Sequence, residues 1–123
     1  MSLYRLRYFF DYHSGCLWSA NEAAYSRFGY PVLLSELPLS EETSRNADRI
    51  GEWFDRSLNW DYPADPGPWR QEECDRFNRA SAELLAAIRQ ELASEFDIAD
   101  EQVVMIEDPD LDEYLADPKG FHR

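Results

Sequence analysis

The stretch Leu3-Tyr4-Arg5-Leu6-Arg7-Tyr8-Phe9-Phe10, followed by Asp11-Tyr12-His13-Ser14-Gly15 and Cys16-Leu17-Trp18, decides how the rest of the chain is read. Arg5 and Arg7 alternate with Leu6 and Tyr8, the two-residue period of a half-buried β-strand. Asp11 to Gly15 supply turn chemistry and Cys16-Leu17-Trp18 resumes the apolar character, which predicts a β-hairpin. A hairpin alone is marginal in water, so it needs a further strand and a covering layer. The apolar run Val103-Val104-Met105-Ile106 reads as that late strand.

Between the strands the pattern turns helical. Ser19-Ala20-Asn21-Glu22 reads as a capping box with Ser19 as N-cap, opening a short helix through Ala23, Ala24, Tyr25 and Phe28. Gly29 is placed to take a positive φ at its end, and Pro31 prevents continuation. Val32 to Pro38 reads as an extended connector. Ser40 is a good N-cap for a second helix, with Glu41 and Glu42 where the helix dipole favours anions. Its apolar stripe is Ala47, Ile50, Phe54 and Leu58, with Trp53 on the flank. Residues 59–68 hold three prolines and a glycine and predict a rigid loop. A third and longest helix starts near Pro68 or Trp69 and carries one stripe from Cys74 through Phe77, Ser81, Leu84, Leu85, Ile88 and Leu92 to Phe96. The tail from Glu107 holds at most a turn of helix near Asp112 to Leu115. The predicted architecture is α+β: a small, mainly antiparallel sheet of hairpin plus late strand, covered by two long helices and one short one.

Composition bounds the function. The chain has 123 residues, with 12 Lys and Arg against 25 Asp and Glu, a net charge of −13. That length predicts a single domain spanning 1–123, with an acidic tail at about 107–123. Hydrophobic residues at 44% and aromatics at 15% argue against disorder. A strongly acidic surface repels phosphate backbones, so direct nucleic-acid binding is excluded. No run of about 18 apolar residues suggests a membrane span, and no basic-then-apolar leader begins the chain, which predicts a cytoplasmic protein. Cys16 and Cys74 are the only cysteines and read as buried, reduced residues. With His13 and His122 the only histidines, no zinc-finger spacing exists. Asp108, Asp110 and Asp112 alternate as calcium ligands could, yet the stretch lacks the glycine and glutamate of a calcium loop. There is no phosphate loop, nucleophile elbow or HExxH motif, so neither a catalytic residue nor a metal or other cofactor is predicted.

Two surpluses remain. Four tryptophans are many for this length, and Trp60, Tyr62 and Trp69 crowd the proline-rich loop, where they either fill the core beneath it or form an exposed recognition surface. The charge is uneven: residues 1–30 carry net +1, residues 31–96 carry −7, and residues 97–123 another −7. Such a surface either solubilises the protein or meets a basic partner.

This profile — small, acidic, rich in Trp and Tyr, without a catalytic motif — resembles the immunity proteins of bacterial toxin systems of the contact-dependent growth inhibition type. The resemblance implies a non-enzymatic protein that binds a basic toxin domain, typically a nuclease, and covers its active site. The residues expected to meet that partner are Asp61, Tyr62 and Asp65 in the loop and Glu107, Asp108, Asp110, Asp112, Glu113 and Tyr114 in the tail. Their carboxylates would pair with Arg or Lys, and the tyrosines would supply contact area. The competing expectation is a small enzyme or ligand-binding domain with a pocket at the hairpin, rimmed by His13, Asp11, Cys16 and Trp18. An adaptor subunit of a larger assembly is a third.

Overall fold

A computed structural model describes residues 2–123. Strand β1 (Tyr4–Tyr8) lies at the centre of a three-stranded sheet, between β2 (Leu17–Ser19) and β3 (Phe96–Asp100). β1 and β2 form the predicted hairpin, antiparallel with Tyr8 opposite Leu17. Ser19 and Val32 extend that edge by main-chain bonds to Tyr30 and Leu17. The third strand differs from expectation twice. It pairs parallel to β1, with Tyr4 opposite Phe96 and Tyr8 opposite Asp100, so the sheet is mixed rather than mainly antiparallel. It also lies at Phe96–Asp100, not at Val103–Ile106. Only Ile98 of this strand is fully buried, which is enough because its neighbours Asp97 and Ala99 face outward in strict alternation.

Leu6, Tyr8 and Phe10 point to the face covered by α2 (Glu41–Asp55) and α3 (Gln71–Glu91). There Phe77 packs against Trp69, Trp53, Phe54 and Phe10, with ring centroids 5.2–5.9 Å apart. The buried Tyr8 hydroxyl lies 2.9 Å from the Ser81 carbonyl and 3.0 Å from its Oγ. α3 ends at Glu91 rather than running to Phe96. Leu92 is already extended, and Phe96 is recruited by the sheet. The helix also starts at Gln71, two to three residues after the predicted point.

The short helix α1 (Glu22–Phe28) is capped by Asn21, whose Oδ1 accepts the Ala24 N–H at 3.0 Å. Ser19 is not the cap: it belongs to β2, and its hydroxyl donates to the Gly29 carbonyl. Gly29 does take a positive φ, 78°. Within the connector, Leu34–Glu36 form a 3-10 turn. Beyond β3 the chain follows α3 back and forms α4 (Leu111–Ala116), anchored by the buried Leu111. No helix among the described residues is long and apolar enough to cross a membrane.

Candidate functional site

The hairpin loop, the connector after α1 and one face of α2 enclose a groove of about 560 Å³. Its apolar wall comes from Phe10, Cys16, Val32, Leu33, Ala47 and Gly51. Asp48, Glu52 and Asp55 line the α2 side, at the i, i+4, i+7 spacing that stacks side chains on one helix face. The arginines of α2 turn elsewhere. Arg45 pairs with Glu41, Arg49 bonds Asn46, and Arg56 donates to the Glu52 carbonyl. Among the described residues no Lys or Arg forms an ion pair with Asp48, Glu52 or Asp55. The groove is therefore an apolar trough with an acidic wall that, among the described residues, no Lys or Arg pairs.

At its mouth, His13 sits at φ 53° with its main-chain N–H bonded to Asp55 Oδ1 at 2.8 Å and its ring Nδ1 3.3 Å from Asp55 Oδ2. Trp60 lies against the His13 ring and donates its Nε1–H to the Asp55 carbonyl. Of the residues expected around a hairpin pocket, His13 and Cys16 line it, whereas Asp11 does not. Trp18 points to the opposite sheet face, stacked on Phe9 with its Nε1–H bonded to the Phe9 carbonyl. Burial pushes the Cys16 thiol up to about 12, with the Asp48 carboxylate adding to the effect, so this sulfur stays protonated near neutral pH.

Of the predicted loop and tail residues, Asp61 and Tyr114 come together in a second hollow. Trp60, Asp61, Tyr114 and Leu115 line a smaller hollow of about 320 Å³ between the proline-rich loop and α4. Trp60 and Tyr62 are 50% and 60% exposed, whereas Trp69 is buried, so the loop aromatics divide between core and surface. Much of the tail's charge is already matched. Arg123 clasps Asp108 and Asp110, and donates to the Ala64 carbonyl. Arg70 holds Asp112 at 2.7 Å and Glu107 at 3.7 Å. Hydrogen bonds from Arg123 hold the Asp108 carboxyl below its ordinary range. Asp61, Asp65 and Glu113 form no ion pair among the described residues.

Sequence reading did not single out Asp48, Glu52 and Asp55, because it followed the apolar stripe of this helix and not its acidic face. The usable signal was their shared face, which also borders the hairpin loop.

Residues 4–99 match the family described as Serratia CdiI immunity protein-like. None of the curated proteins compared with the chain matches it.

Proposed function

The chain belongs to the Serratia CdiI immunity protein-like family, and from that premise we propose that it neutralises a basic toxin domain, a nuclease, by covering its active site in the cytoplasm. The observation that supports this reading best is the acidic wall of Asp48, Glu52 and Asp55 over an apolar trough. A nuclease cleft is lined with Lys and Arg that bind phosphates, and carboxylates held at fixed spacing on a helix imitate those phosphates. The trough gives the aliphatic stems of the same side chains an apolar surface to lie on. Trp60 lines the smaller hollow and packs against His13, which lines the groove. In this reading it joins the trough to a second contact region made by Asp61, Tyr62, Asp65, Glu113 and Tyr114. Glu107, Asp108, Asp110 and Asp112 then serve mainly to hold the tail in place through Arg70 and Arg123.

A small enzyme at the hairpin has the His13–Asp55 pair in its favour. It lacks a primed nucleophile: the Cys16 thiol is protonated, and among the described residues no hydroxyl bonds the His13 ring.

The test uses the toxin domain encoded immediately upstream. Co-expression with this chain should restore growth, and the purified pair should bind. The double variant D48K/E52K should weaken binding by about ten- to a hundredfold while the fold persists. A chain that neither binds nor protects would sink the proposal, and full binding by the double variant would move the interface elsewhere.

A further inference from the structure

Residues 103–106 have strand-forming side chains and no strand partner. Val103, Val104 and Ile106 are 72%, 70% and 68% exposed, the most exposed large apolar side chains described. Yet the segment is held. The Asn78 side chain donates to the Met105 carbonyl at 2.9 Å and accepts its N–H at 2.8 Å, as a neighbouring strand would. Two residues on, Gln71 Oε1 accepts the Glu107 N–H, and Glu107 Oε1 accepts the Gln71 N–H, both at 3.0 Å. Met105 and Glu107 are thus tied to α3. Among the described residues, the N–H and C=O of Val104 and Ile106 make no hydrogen bond. In an extended chain, alternate residues present their polar groups to opposite edges. One edge here is satisfied by side-chain amides and the other is open.

We infer that this open edge receives an extended strand of the toxin domain, an apolar stretch flanked by Lys or Arg, by β-strand addition. The inference rests on the immunity reading and locates part of its interface. Main-chain bonds to Val104 and Ile106 supply affinity, and the exposed side chains select the incoming strand. The flanks specify its charge. Before the segment, Asp100 and Glu101 face the single cation Arg7, and after it Glu107, Asp108, Asp110 and Asp112 face Arg70 and Arg123, so each flank keeps a net negative charge after its ion pairs are counted. A second copy of this chain would set acid against acid in either strand direction, which opposes self-pairing. A basic-flanked strand meets opposite charge at both ends. Val103 and Met105 of the segment also border Tyr12, Phe54 and the Arg7–Glu101 pair in a hollow of about 380 Å³.

The experiment compares wild type with V104P and I106P, which delete the outward N–H groups, and with V104T and I106T, which keep them. Binding to the upstream-encoded toxin domain, amide exchange and light scattering are read for each. Wild type should bind with Val104 and Ile106 amides protected in the complex. Each proline variant should lose affinity about tenfold or more, and each threonine variant less, with unfolding midpoints unchanged. Wild-type binding with no amide protection, or equal binding by the proline variants, overturns the strand addition and leaves the immunity reading standing. Absence of wild-type binding overturns both. A wild-type dimer that the prolines dissociate without loss of toxin binding assigns the edge to a second copy instead.

Discussion

At Tyr8 one side chain couples the two layers. Its ring fills the space beneath α3, and its hydroxyl is buried among apolar groups where only Ser81 can satisfy it. Burial drives the phenol's pKa upward, which favours the protonated form that donates to Ser81. Y8F keeps the ring and removes the hydrogen bonds, and should cost about 1 kcal/mol. Thermal melting should show this as a midpoint about 3–6 °C lower. An unchanged midpoint would mean that Ser81 and its helix readjust without loss. The same scale explains the groove's chemistry, since a thiol as buried as that of Cys16 packs like a small apolar residue.

Among the elements, α2 and α3 were legible because each carries a long stripe at helical spacing, and caps such as Ser40 mark where it begins. β3 was hidden. Phe96 also falls on the continuation of the α3 stripe, so helical phase and strand burial predict the same buried residue. The stronger β-formers at 103–106 drew the assignment away, although side-chain amides rather than a strand hold that segment. The exposed aromatics of the proline-rich loop stand out in the sequence, whereas the acidic face of α2 does not, because sequence spacing does not say that this face borders the hairpin loop. In the tail, Arg70 from the start of α3 and the tail's own Arg123 pair with acids that a charge count alone leaves unmatched. The loop itself is fitted closely to the end of α2. A Cβ on Gly67 would stand 2.1 Å from the Ser57 carbonyl oxygen, a main-chain atom that cannot swing aside. G67A should therefore destabilise the protein by about 1–3 kcal/mol in denaturant unfolding. A wild-type midpoint would show that the loop lifts freely.

For the molecule as a whole, the large negative charge is partly structural. Glu91, at the end of α3, accepts hydrogen bonds from the Ser40 N–H and hydroxyl and from Thr43, strapping α3 to the start of α2. These bonds hold its carboxyl below its ordinary range, as Arg123 does for Asp108. A carboxylate whose folded pKa is depressed adds stability above its unfolded pKa, and that stability is lost as pH falls through the folded value. Unfolding midpoints should hold above about pH 5 and fall progressively below about pH 4. E91Q and D108N should each be less stable than wild type near neutrality and show a shallower acid decline. If both declined as steeply as wild type, other carboxylates would carry the acid sensitivity.

The parallel pairing of β1 with β3 has a consequence in time. The central strand is made well before one of its two neighbours, so Tyr4 waits for Phe96. A ladder joining such distant segments forms slowly and cannot close on a partial chain. A chain broken off before Phe96 lacks one edge of its sheet, and folding of the whole unit waits on that late segment.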